Sequence, residues 1–206
     1  MKSAKKAIIA ALCAVMLVVG SVAGTMAYLT STDEVVNTFT VGNVAITLDE
    51  TDVDNSTADA ARDKANSYKL MPGHSYTKDP IVHVASGSEE CYLFVKVVNE
   101  IAAIEDQSNN GSTTVASQME NNGWQAVDGV SNVYVYATGS DAKTVVSATN
   151  NKTVFGTFKI DGESVNNNIL EDYTGKTITV TAYAVQKDGF EEKTPAEIWK
   201  AAGFTF

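Results

Sequence analysis

Two histidines, a lone mid-chain cysteine and a run of carboxylates are the groups best suited to chemistry in this chain. His74 and His83 are its only histidines. A zinc protease of the familiar type needs two histidines one helical turn apart, with a glutamate between them to activate water. These two flank Pro80, and no such helical motif is present. They read as turn or strand-surface residues, with His83 on the same strand face as Ile81. Gly73-His74-Ser75-Tyr76-Thr77 begins like a nucleophile elbow, but Thr77 stands where the last glycine belongs. That motif also needs a strand-turn-helix, whereas Pro72-Gly73 here leads into Pro80 and a strand. Glu89 and Glu90 beside Cys91 disfavour a thiolate, so Cys91 reads as a small buried residue on a strand. No catalytic residue is assigned.

The carboxylates Asp49, Glu50, Asp52, Asp54, Asp59 and Asp63 offer oxygen ligands of the kind calcium takes. The glycine and terminal glutamate of an EF-hand loop are missing. A solvated acidic insert is therefore the plain reading, and an irregular calcium site the alternative. No glycine loop cradles a phosphate, and no other cofactor is expected.

The elements that must carry these groups read as β. Asn37 to Val41 and Asn43 to Leu48 alternate through Phe39, Val41, Val44, Ile46 and Leu48, with Gly42 shifting the phase. Ile81 to Ala85 follows Pro80. A turn at Ser86-Gly87-Ser88 leads into Cys91 to Val98, where Cys91, Leu93, Val95 and Val97 share one face and Tyr92 and Phe94 the other. Apolar residues on both faces predict a central, covered strand. Further strands are predicted at Val133 to Ala137, Thr153 to Ile160 and Lys176 to Gln186. The last sets Ile178, Val180, Ala182 and Ala184 against Thr177, Thr179 and Thr181.

Short helices are predicted at Ser112 to Glu120 and at Pro195 to Ala202, the latter with Thr194 as cap and Gly203 as stop. The acidic insert at 49–69 offers another, capped by Ser56 or Thr57 and running through Lys64. Trp124 and Trp199 read as packing residues, Trp124 against Val133 to Tyr136 and Trp199 beside Ile198; exposed sugar-binding rings are the alternative. The fold class is all-β: an antiparallel β-sandwich of jelly-roll type with short helical insertions and a short C-terminal helix.

Lys2, Lys5 and Lys6 precede an apolar run from Ala7 to Ala23, and small residues follow at Gly24, Thr25 and Ala27. This is the order of a secretory signal peptide cleaved between Ala27 and Tyr28. An uncleaved anchor is the alternative, although the run is near the short limit for a span. Residues 28–206 then form one domain with a leading arm at 28–38. They carry 12 Lys and Arg against 25 Asp and Glu, a formal charge of −13. Such an acidic surface repels nucleic acid, and no basic stripe is present. With Cys13 in the leader, Cys91 has no internal disulfide partner. The tail Gly203-Phe204-Thr205-Phe206 carries no sorting pentapeptide or second apolar span.

Gly24-Thr25-Met26-Ala27-Tyr28-Leu29-Thr30, followed by Asn37-Thr38-Phe39-Thr40-Val41-Gly42-Asn43-Val44 with Ile46 and Leu48, resembles the TasA/camelysin (CalY) family. The resemblance continues through Leu70 to Pro80, Cys91 to Val97, and Ala182 to Gln186 with Gly189-Phe190, and so spans nearly the whole chain. The acidic insert after Leu48 departs from the family's simplest pattern.

The resemblance implies export through a dedicated SipW-type signal peptidase and a place in the extracellular matrix or on the cell surface. It implies a structural subunit of biofilm-matrix fibres, polymerising head to tail with itself, with an accessory matrix protein as a further partner. In such assemblies the N-terminal segment of one subunit completes a sheet of the next. Here that segment is Tyr28 to Thr38, anchored by Tyr28, Leu29, Val35 and Val36, with Phe39 opening the first strand. Asp33 and Glu34 sit mid-arm and weigh against it. The alternatives are a camelysin-like secreted metalloprotease and a monomeric surface-binding module.

Overall fold

The computed structural model describes residues 42–56 and 61–204. The expected leader, the cleavage site at Ala27–Tyr28, the arm residues Tyr28, Leu29, Val35 and Val36, and Phe39 lie outside the described residues.

The described chain runs β1 (Ile46–Thr51), β2 (Arg62–Asp63), β3 (Ser75–Thr77), β4 (Ile81–Val84) and β5 (Cys91–Asn99). After a 3-10 turn at Ala102–Ile104 come α1 (Ser108–Gly111), α2 (Val115–Asn121), β6 (Trp124–Ala126), β7 (Val133–Tyr136) and β8 (Val145–Val146). The last third holds β9 (Asn151–Thr153), β10 (Thr157–Lys159), α3 (Asn167–Glu171), β11 (Ile178–Gln186) and α4 (Pro195–Ala201). Every strand pairing is antiparallel. One sheet has the order β2-β1-β4-β9 and the other β11-β5-β7-β6, with β8 beside β5 and β10-β3 as a small third pair. This is the all-β sandwich the patterning predicts.

β5 is the spine because both its faces are apolar. Cys91, Leu93, Val95 and Val97 join Val82, Val84 and Phe155 in the main core between the sheets. Tyr92 and Phe94 turn the other way, into a second core closed by Ile198 and Trp199 of α4. That helix sits where its sequence places it. Thr194 and Glu197 form a reciprocal capping box, Pro195 fills the first turn, and Gly203 follows with φ +70. Trp124 and Trp199 are both buried, as expected of packing residues.

Four expectations need correction. β1 begins at Ile46 rather than Asn43 and runs on through Asp49 and Glu50, because those residues pair with Ile81 and Asp63. Arg62–Asp63 is a strand beside Thr51 and Glu50, not the end of a helix through Lys64. The strand expected over Thr153 to Ile160 is split: β9 pairs with β4, and β10 with β3. Val154 and Phe155 between them both enter the same core, whereas adjacent residues of a regular strand point to opposite faces. The chain changes sheets there. Finally, α3 was not expected; its start is marked by Asn166, whose side chain accepts from the Asn168 and Ile169 N–H groups.

Candidate functional site

The two margins of the sandwich are treated in opposite ways. On one, α2 and β6 are stitched to the β9–β10 segment by side chains. The Trp124 indole donates to the Thr153 carbonyl at 2.8 Å and the Asn122 amide to the Val154 carbonyl at 3.1 Å. Gln118 donates to the Thr157 carbonyl at 2.8 Å and accepts from the Gly156 and Thr157 N–H groups at 3.1 Å. Backbone groups that an edge strand leaves unpaired are thereby satisfied.

The other margin lies between β1 and β11. β11 is the end strand of its sheet and pairs only with β5 among the described residues. β1 pairs with β4 over Ile46–Asp49 and meets β2 only at Glu50 and Thr51. The start of β1 and the end of β11 are both tied to the 85–90 turn: Glu89 donates to the Asn43 carbonyl and Lys187 to the Glu90 carbonyl. From there the two strands bound a groove of about 1110 Å³, exchanging no hydrogen bond among the described residues.

Consecutive residues Ile46–Glu50 and Thr174–Ala182 line this groove, so it is bordered by the strand edges themselves and not by one face. Part of its wall is apolar: Ile46, Leu48, Tyr68, Leu170, Ile178 and Val180 are only half-buried against the core. Val82, Leu93 and Phe155, deeper in the same core, are completely shielded. The core is short of cover on this side.

The acidic insert forms one rim of the groove; its described residues other than Glu50 are exposed or half-buried, and ion pairs tie it to β1. Arg62, the single arginine of the chain, forks between Asp49 and Asp79 and also donates to the backbone carbonyls of both. Partial burial pushes the Asp49 carboxyl up, but hydrogen bonds from Arg62 and His83 more than reverse it and hold it below the usual range. Asp79 is likewise lowered against burial, by the Thr51 N–H and by Arg62. Glu50 is buried and bonded to Lys78 at 2.6 Å.

Asp52, Asp54 and Asp63 bring one oxygen each within 4.8 Å of one another, which is the reach of a shared hard cation. Ser56 also donates to Asp54 and Asp63 there, and the Ser67 N–H to Asp54. Of the six carboxylates read as candidate calcium ligands, Asp49 and Glu50 are thus committed to protein cations. Asp59 lies outside the described residues.

No protein-family model, curated protein or solved structure matches this chain.

The histidines are not brought together at a common centre. His74 Nδ1 sits 3.1 Å from the Pro72 carbonyl, and His83 Nε2 sits 3.0 Å from Asp49. His83 shares the strand face of Ile81, as predicted, with Val82 and Val84 turned inward. Cys91 is buried, and burial pushes its thiol up to about 11. The sequence reading missed the groove because it depends on strand order. The available signal was the long β11 pattern, whose inner residues Ile178, Val180 and Ala182 need a covering that no neighbouring sequence supplies.

Proposed function

We propose that this protein is a secreted structural subunit of extracellular biofilm-matrix fibres, assembled when the N-terminal arm of one copy adds to the open margin of the next. The single observation that carries this reading is the groove between β1 and β11, whose facing edges pair with no further strand over Ile46–Asp49 and Ile178–Gln186 among the described residues. A strand laid there gains main-chain hydrogen bonds, and its alternate side chains fill the groove. Head-to-tail addition that does not close on itself gives a fibre.

The resemblance to the TasA/camelysin family supports the same reading, with its SipW-type export leader and matrix location. The acidic composition agrees with a soluble exported subunit, and the role is non-enzymatic. The partner is a second copy of the chain.

Negative-stain imaging of the protein trimmed to Tyr28 tests this. Filaments are expected from the trimmed protein, and a folded monomer from a version lacking Tyr28 to Val36. Filaments of normal length from the shortened version would refute strand donation.

A further inference from the structure

Three side chains of complementary chemistry meet where the acidic insert folds back on β1: an amine, a carboxamide and a carboxylate. Lys78 Nζ donates to Glu50 Oε2 at 2.6 Å, and Asn66 Nδ2 donates to Glu50 Oε1 at 3.0 Å. One carboxyl group therefore holds the amine on one oxygen and the amide on the other. The strands account for this placement. Glu50 pairs with Asp63 in the β1–β2 ladder, and Asn66 follows Asp63 closely enough to turn back onto Glu50. The Tyr68 hydroxyl donates to the Thr77 carbonyl, and the Lys78 N–H to the Gly156 carbonyl. Those bonds hold the insert beside the segment that carries Lys78.

The site is dry. Glu50 is 4 % exposed and the Lys78 side chain 12 %. Lys159, Lys176 and Lys187 also pair with carboxylates, but each is more than a third exposed. An ammonium is not a nucleophile. A desolvated amine that has passed its proton to a neighbouring base is a good one.

The Asn66 amide is set up to be attacked. Its Nδ2 also faces the Thr51 carbonyl at 2.9 Å and Asp63 Oδ1 at 3.3 Å, while its Oδ1 accepts from the Val53 N–H at 2.7 Å. Acceptors on one side and a donor on the other fix which atom is the nitrogen. The Val53 N–H is thus aimed at the oxygen on which negative charge gathers during attack at Cγ. The nitrogen held by Glu50 is the leaving group.

We infer that Lys78 and Asn66 join in an intramolecular amide bond, formed by the chain itself with Glu50 as the proton carrier. Glu50 Oε2 takes a proton from the Lys78 ammonium, and the freed lone pair on Nζ attacks Asn66 Cγ. As the tetrahedral intermediate collapses, the Cγ–Nδ2 bond breaks. Nδ2 takes the proton shed by Nζ, relayed through Glu50. Ammonia leaves and carries off the proton that Glu50 first accepted. Amine plus amide gives amide plus ammonia, so the step needs no oxidant or further reactant. All three residues line the groove, which gives the ammonia a way out. The new bond ties the acidic insert to the segment that enters β4.

Intact-mass measurement of the purified chain decides whether the bond exists, and filament formation does not enter this test. A mass lower than that of the sequence by one ammonia is expected. Trypsin cuts after lysine, so it should spare Lys78 and release 65–69 and 70–96 as one branched peptide. Glu50→Gln keeps the shape of the side chain, and it should melt cooperatively yet retain the ammonia. Lys78→Arg should retain it too. A full-mass unsubstituted chain that trypsin cuts after Lys78 contains only an ion pair and overturns the inference. A loss of ammonia that persists in Lys78→Arg overturns it as well, since an amide has then closed on its own backbone. A branched peptide still formed by Glu50→Gln overturns Glu50 as the proton carrier.

Discussion

The Gln118 side-chain amide engages Thr157 as a neighbouring strand would: its Nε2 donates to the Thr157 carbonyl at 2.8 Å and its Oε1 accepts from the Thr157 N–H at 3.1 Å. The same oxygen also accepts from Gly156 N–H at 3.1 Å. One glutamine thus takes the place of a paired residue along this margin of the sandwich, whereas β11, at the opposite end of its sheet, pairs only with β5 among the described residues.

Gln118→Ala should therefore leave the Thr157 and Gly156 backbone groups without their partner. A loss of about 1–2 kcal/mol in urea unfolding is expected, on the usual cost of unsatisfied hydrogen-bonding groups. Gln118→Glu keeps the acceptor and loses the donor, so it should fall between the two. A stability equal to that of the unsubstituted protein would show that water replaces the amide without cost.

Arg62→Ala removes the clasp holding the acidic insert to β1 and Asp79. Its pairs are partly exposed, so solvent screening limits the cost to about 1–2 kcal/mol. Arg62→Lys keeps the charge but cannot fork between Asp49 and Asp79, and should recover less than half of the loss. The network is also acid-sensitive. Asp49 and Asp79 have lowered folded-state values, so their contribution is complete above the unfolded value near 3.8 and is lost as pH falls through the folded ones. Thermal melts of both variants between pH 2 and pH 7 would read this out.

Glu105 titrates in the opposite sense. Burial pushes its carboxyl up, and hydrogen bonds from Asn99 and the Val115 N–H only partly offset this. A carboxyl with a raised folded-state value binds its proton more tightly in the native protein. Its contribution is therefore complete below the ordinary 4.5 and declines as pH rises through the folded value. Glu105→Gln should flatten that part of the stability–pH curve. An unchanged slope would mean that the carboxyl is not desolvated as the fold implies.

Val180→Lys places a charge on the groove wall while leaving the stem free to reach solvent from a half-buried position. The folded domain should survive, with a change in melting temperature of a few degrees at most. On the strand-donation reading this variant can give an arm but not receive one. Added in small proportion to unsubstituted protein, it should shorten filaments in electron micrographs, and unaffected lengths would count against the groove as acceptor.

Cys91, completely buried with its thiol pushed up to about 11, should be unreactive in the native protein. Labelling by a thiol reagent at neutral pH should proceed only as fast as the domain unfolds, and become immediate in denaturant. Rapid labelling without denaturant would contradict the packing around β5.

Where the chain's local pattern and its tertiary surroundings agree, the sequence was a sufficient guide. The two-faced alternation of Cys91 to Val98 identified the central strand, and Thr194, Pro195 and Gly203 identified the last helix nearly to the residue. Long-range partners decided the rest. Nothing local to Asp49 or Glu50 says that a strand continues there, since Arg62 and Lys78 supply the compensating charge. The break at Val154 to Gly156 follows from a change of sheet, which periodicity does not register. The groove was legible only in part: the apolar face of β11 is plain in the sequence, but its place at the end of a sheet is a matter of topology.

On the strand-donation reading, one margin stitched by Gln118, Asn122 and Trp124 and an opposite one with no further strand among the described residues give the sandwich a receptive valence of one. A molecule with one such socket and one N-terminal tail has no means of forming a junction. On that reading growth from it would yield unbranched threads, and any meshwork would have to come from contacts between the flanks of finished threads or from a different molecule.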